Sequence, residues 1–220
     1  MNMNKTKPAC LNFFAGSGLV VEGLKSFFET VWANDICEKK AKVFCANHNK
    51  KIFHIGPIEN VLGADLPSAA LSWGSFPCQD LSLAGNLGGL SCSRSGLVWH
   101  WLRVMDELLL KPPLAVAENV TGLVSGAKGK HYRTLHNALL KRGYRVGAVM
   151  IDASHWVPQS RKRVFVIAVD AKIATDRFET DRPTWCHPSY IAKAAKGLNN
   201  LIWWNLPEPP ERKINLEDLI

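Results

Sequence analysis

The chain has 220 residues, with 27 lysines and arginines against 19 acids and a formal net charge of +8. Hydrophobic residues at 47% and charged residues at 21% are the balance of a folded domain, which excludes a disordered tail. No stretch approaches the roughly 18 uncharged apolar residues that span a bilayer, and the polar, basic residues 1–7 lack the apolar run of a signal peptide. Six cysteines without CxxC spacing argue against a disulfide framework and a zinc finger, so the expected compartment is the cell interior. The basic excess suits a polyanionic partner.

In chain order the pattern predicts a strand at 9–14, a helix at 19–28, a strand at 30–34 and a helix at 36–47. Strands follow at 52–55 and 69–74, a helix at 96–110, a strand at 114–118 and an amphipathic helix at 131–142. Strands at 145–152 and 164–169 complete the set. Strands alternating with helices mark βαβ units, so the expected fold is α/β: a mostly parallel seven-stranded sheet. About ten residues separate the last two strands, too few for a helical crossover, so an antiparallel edge pair is expected. Residues 1–171 are read as one domain, and 172–220 as a C-terminal arm. That arm carries Trp185, Trp203 and Trp204, and residues 214–220 are expected to start a helix.

The first strand runs into Phe14-Ala15-Gly16-Ser17-Gly18 and then a helix. Glycines at such a turn let a ligand approach the backbone and aim helix N–H groups at an anion. Asp35 stands nineteen residues after Gly16, at the end of the next strand, where an acid binds ribose hydroxyls. The alternative for Asp35 is a helix N-cap before Ile36. Together these residues point to an adenosine-type cofactor, and the absence of a full GxGxxG points away from NAD.

The fourth strand leads into Pro77-Cys78-Gln79-Asp80-Leu81-Ser82, placing a cysteine just beyond a strand's carboxyl end. A lone cysteine is ordinarily a small buried hydrophobe. Its company favours a nucleophile: Glu118-Asn119-Val120 ends the fifth strand, and Gln159-Ser160-Arg161-Lys162-Arg163 opens the last. Strand periodicity would point Arg161 and Arg163 the same way. Cys37, Cys45 and His48 share one predicted helix, but the cysteines lie more than two turns apart, and no metal site is expected. Lys128, Lys130, Arg133, Lys141, Arg142 and Arg145 are candidate phosphate contacts, and the loop 80–94 is a candidate closing element.

The ordered set Phe14-Ala15-Gly16-x-Gly18, Pro77-Cys78-Gln79, Glu118-Asn119-Val120 and Gln159-x-Arg161-x-Arg163 resembles the signature motifs of DNA (cytosine-5) methyltransferases. Residues 94–97 resemble a further block, and the likeness runs from about residue 9 to 171. It implies a Rossmann-like fold binding S-adenosylmethionine, with Phe14, Ala15, Gly16, Ser17, Gly18, Asp35, Ile36, Pro57, Ile58 and Leu97 around the cofactor. It implies that Cys78 attacks C6 of a flipped cytosine in double-stranded DNA, while Glu118 holds the ring's N3 and amino group. Arg161 would contact the base carbonyl and Arg163 support the framework, with Pro77, Gln79, Ser82, Asn119, Val120 and Gln159 lining the substrate side.

The likeness departs at four points, one of them Asp35, which stands where glutamate is commoner and has a shorter reach to the same ribose. Asn12 stands where the family usually has an acid, Leu19 where a second glycine is common, and Pro57 where an aspartate commonly receives the adenine amino group. No target-recognition domain or later family segment is visible. The expected protein is therefore the catalytic portion of a split or truncated methyltransferase, working with a second polypeptide or segment. Its expected setting is a restriction–modification system in the bacterial cytoplasm. The alternatives are a non-catalytic DNA- or cofactor-binding remnant and a tRNA cytosine-5 methyltransferase.

Overall fold

A computed structural model describes residues 6–77 and 96–219. The chain forms two compact units, Met1–Ala117 and Glu118–Ile220. In the first, β1 (Ala9–Phe13), β2 (Glu29–Asp35), β3 (Phe53–Ile55) and β4 (Leu71–Gly74) alternate with α1 (Leu19–Leu24), α2 (Glu38–Asn47) and α3 (Leu97–Glu107), and β5 (Leu114–Asn119) runs past the boundary by two residues. The second continues with α4 (Gly122–Ser125), α5 (Lys130–Lys141), β6 (Tyr144–Asp152), β7 (Lys162–Asp170), β8 (Glu179–Thr180), α6 (Ser189–Ala195) and β9 (Trp203–Trp204). The sheet order is β3-β2-β1-β4-β5-β7-β6. The pairs from β3 to β5 are parallel, and β6 and β7 form the expected antiparallel edge pair.

The first unit is built around β1. Its Phe13 packs on Trp32 of β2 with ring centroids 4.9 Å apart. On α2, Phe44 clusters with Ala15 and Ala33, and its ring lies 4.5 Å from that of Phe53. From α3, the fully buried Trp101 donates its indole N–H to Ser72 Oγ at 2.9 Å, which satisfies two polar groups inside the core. Arg103 pairs with Glu107 at 2.6 Å, and its Nη2 donates to the carbonyls of Ile58, Glu59 and Val61 at 3.1, 3.3 and 3.0 Å. Glu107 accepts from the Gly63 N–H at 2.9 Å, and this bond with the Arg103 pairing holds its carboxyl below the usual range. The loop after β3 is thus pinned from α3.

The helix expected at 19–28 ends at Leu24, because the Phe27 and Phe28 N–H groups fold back on the Leu24 carbonyl at 2.8 and 2.9 Å and turn the chain into β2. The helix expected from 36 starts at Glu38, because Asp35 Oδ1 accepts the Cys37 N–H and holds 35–37 as a turn. At 214–220 there is a single tight turn, Leu216–Leu219.

In the second unit, α5 buries Tyr132, Leu135, His136, Ala138 and Leu139, the stripe that its 3.6-residue spacing predicts. Residues 186–204 cover the outer edge of β6. The Ile202 N–H donates to the Val146 carbonyl at 3.0 Å, Val146 N–H to Asn200 at 3.1 Å and Met150 N–H to Cys186 at 2.8 Å. Arg133 donates to the carbonyls of Ala194 and Lys196 at 2.9 and 2.8 Å, and His136 Nε2 to that of Asn199 at 2.9 Å. Arg145, a candidate phosphate contact in the sequence, instead grips Glu179 through two hydrogen bonds of 2.6 and 2.7 Å. A fork-to-fork pairing of this kind takes its charge out of the available basic field.

Gly147 makes this packing feasible. A Cβ there would lie 2.2 Å from the Ile202 carbonyl oxygen, a backbone atom that cannot rotate away. Gly147→Ala should therefore lower the unfolding free energy by about 2 kcal/mol, read as a lower urea midpoint at unchanged slope.

Candidate active site

In the first unit the carboxyl ends of β1 and β2 open on a cleft of about 210 Å³ lined by Phe14, Asp35, Ile36, Cys37, Lys40, Pro57, Ile58, Glu59, Pro77 and Leu97, among others. The cleft has a built floor. Phe14 and Gly16 both take φ of 57°, and Gly18 takes 95°. For Phe14 this is a strained region, tolerated where the surroundings fix it. At Gly18 a Cβ would fall 2.4 Å from the His48 ring, so the turn admits no side chain there. Asp35 Oδ2 accepts the Gly16 N–H at 2.9 Å and Oδ1 the Cys37 N–H at 2.9 Å. Each oxygen keeps a lone pair for a further donor.

The remaining wall comes from the loop after β3. Asn34, itself buried, donates through Nδ2 to the carbonyls of His54 and Gly56, both at 2.9 Å, and the Gly56 N–H reaches the Asp35 carbonyl at 3.2 Å. Ile36 is 68% exposed on the cleft, an apolar surface available to a flat ring. Ile58 has its side chain in the core at 2% exposure and its carbonyl on Arg103, so only its remaining backbone faces a ligand. Asn12 is fully buried, and neither atom of its amide has a hydrogen-bond partner among the described residues. A neutral amide in that place costs less than an ionised acid would.

In the second unit, Arg163 Nε meets Glu118 Oε1 at 2.9 Å, both side chains about one-fifth exposed. Asn119 is buried and its Oδ1 accepts the Val120 N–H at 2.9 Å, while Val120 is 37% exposed. Arg161 and Gln159 are exposed, and Arg161 lies just before β7 rather than within it, so strand periodicity does not fix its direction. What fixes its backbone is Asp152, which accepts from the N–H groups of Ser154 and Arg161 at 3.1 and 2.8 Å and from Ser160 Oγ at 2.9 Å. Cys78, Gln79, Ser82 and the loop 80–94 lie outside the described residues.

Residues 9–218 match the model of one protein family, C-5 cytosine-specific DNA methylase. The chain belongs to this methylase family. It is 34% identical over 188 residues to the type II methyltransferase M.NgoFVII of Neisseria gonorrhoeae, covering 84% of this chain and 49% of the relative. Against M.Bsp6I of Bacillus sp. (strain RFL6) it is 30% identical over 161 residues, covering 71% of this chain and 50% of the relative. The chain thus spans about half the length of the curated relatives it matches. The S. pombe Dnmt2 methyltransferase structure shares the fold with a TM-score of 0.63 at 21% identity, covering 77% of this chain and 53% of that one.

In this chain the sequence motifs missed the acid Glu59, which lines the cleft, and the direct Glu118–Arg163 contact between residues 45 positions apart. No local pattern announces either. No helix among the described residues is long and apolar enough to cross a membrane.

Asp152 gives the site a pH signature. Its hydrogen bonds, led by the Ser154 N–H, lower its pKa from 3.8 to about 2. A carboxyl depressed in the folded state adds stability above its unfolded pKa, and that stability is lost as pH falls through the folded value. Wild-type protein should lose stability from pH 3.8 to about 2, and Asp152→Asn should show less loss over that window in a pH series of thermal melts.

Proposed function

We propose that this chain is the catalytic portion of a DNA cytosine-5 methyltransferase that uses S-adenosylmethionine. The observation that carries the proposal is the glycine turn fastened to Asp35, which fits an adenosine-bearing cofactor. Gly16 and Gly18 allow close backbone approach, and Asp35 keeps lone pairs for ribose hydroxyls. Phe14, Ala15, Ser17, Ile36, Pro57, Ile58 and Leu97 complete the proposed cofactor side. When bound, S-adenosylmethionine supplies an electrophilic methyl group on a sulfonium.

The rest of the chemistry belongs to the chain. The Cys78 thiolate forms a bond to C6 of a cytosine drawn out of the duplex, making C5 nucleophilic. Glu118 hydrogen-bonds the N3 edge and the amino group, where charge accumulates as that bond forms. Arg163 fixes one oxygen of Glu118, and Arg161 reaches the base carbonyl from a backbone that Asp152 holds. Once C5 carries its new substituent and gives its proton to a base, the thiolate leaves and the ring is restored. Pro77, Gln79, Ser82, Asn119, Val120 and Gln159 are assigned to the base and its flanking strand.

Reading of the target sequence is assigned to a recognition segment beyond these 220 residues, on the same or a second polypeptide. The type II relatives support a restriction–modification role in the bacterial cytoplasm.

With the complementing segment, duplex DNA and labelled cofactor, the wild-type chain should transfer methyl groups and Cys78→Ser should lose at least about 1000-fold in rate. DNA carrying 5-fluorocytosine, which has no C5 proton to give up, should form a denaturation-resistant complex with wild type only. Equal transfer by Cys78→Ser would overturn the mechanism.

A further inference from the structure

Between β6 and β7 the chain makes a closed loop, 152–161. The Ala153 N–H donates to the Arg161 carbonyl at 3.2 Å, and the Arg161 N–H returns to the Asp152 carboxylate at 2.8 Å. Inside that closure the Trp156 and Val157 N–H groups donate to the Ala153 carbonyl at 2.9 and 3.0 Å, and the Gln159 N–H to that of Val157 at 2.7 Å. A loop fastened in this way has little freedom left to lose on binding. Yet it holds an indole in solvent: Trp156 is 43% exposed.

The ring is braced. His155 meets Trp156 edge-on with centroids 5.6 Å apart, and meets Trp185 in the same way at 5.6 Å. Trp185 in turn donates its indole N–H to the Leu206 carbonyl at 3.1 Å. Cations share the loop: Arg161 and Lys162 are exposed at the start of β7, and Arg212 reaches the Ser154 carbonyl through Nη1 at 3.5 Å. Asp152, the acid within the loop, is already occupied by the Ser154 and Arg161 N–H groups and by Ser160 Oγ.

An indole left in water forgoes the free energy of burial, and its flat face suits another π-system. Exposed aromatics among cations are the features that grip unstacked nucleobases, the ring lying on the base while the cations follow the phosphates. Drawing a cytosine out of a duplex takes a stacking partner from each of its neighbours.

We propose that Trp156 is a stacking platform for a base of the substrate strand left unstacked beside the extruded cytosine, with Lys162 and Arg212 on the adjoining phosphates. The inference rests on the proposed DNA substrate and adds a residue that none of the sequence motifs contains. Stacking of this kind tolerates any base, so Trp156 sets affinity for opened DNA and not the choice of sequence.

The test is fluorescence anisotropy on the full chain with two labelled duplexes, one fully paired and one carrying a short bulge of unpaired pyrimidines. Wild type should bind the bulged duplex at least about tenfold more tightly. Trp156→Ala should lose about five- to a hundredfold on the bulged duplex and stay within about twofold on the paired one. It should keep the wild-type salt slope, because stacking releases no counterions. Trp156→Phe should retain most of the affinity, whereas Lys162→Ala should weaken both duplexes alike and reduce the salt slope by about one. Because the indole is exposed, both Trp156 variants should melt with wild type. Undiminished binding of the bulged duplex by Trp156→Ala, or an equal loss on both duplexes, would overturn the stacking assignment while leaving the methyl-transfer reading standing. Failure of wild type to bind either duplex would overturn the DNA-substrate reading, and the role of Trp156 with it.

Discussion

The Asp35 carboxylate joins two strand-to-helix turns by accepting the Gly16 N–H on one oxygen and the Cys37 N–H on the other. The strained backbone at Phe14, the left-handed glycines and the short turn before α2 all converge on that group. Asn34 extends the same fastening outward by holding the carbonyls of His54 and Gly56. Beneath it, Phe44 of α2 packs on Ala15 and Ala33. A ligand floor built from backbone groups keeps its shape because its hydrogen bonds are saturated, and it binds through what is left over.

The second unit uses charge in the same economical way. Glu118 and Arg163 neutralise each other across two strand ends, and Asp152 gathers the turn that carries Arg161. Arg145 and Glu179 do the same at a place remote from any proposed chemistry. Formal charge therefore overstates how much of the basic complement stands ready for a polyanion. Lys128 and Lys130 remain exposed, whereas Arg133 spends its guanidinium on the carbonyls of Ala194 and Lys196.

The alternation of strands and helices was legible because each element carries its own periodicity. The apolar run at Leu114–Asn119 and the stripe of α5 are local facts. The element ends were less legible, since backbone hydrogen bonds to Leu24 and to the Asp35 carboxylate set them. Asp35 itself was legible by its distance from Gly16. It also does part of the work of the alternative role as a turn acceptor. Glu59 was not legible as a cleft residue, because no local motif marks it and only the folded loop brings it there. The tail gave no periodic signal: α6 spans only seven residues, and β8 and β9 pair two residues each.

That short-element tail matters beyond its own packing. Asn200, Ile202 and Cys186 occupy hydrogen-bonding groups along the open side of β6, the last strand of the sheet. A shortened form ending before Cys186 would present that strand bare, a template along which strands of other molecules add. Aggregation during expression of trimmed variants would then be governed by a stretch far along the chain from the glycine turn.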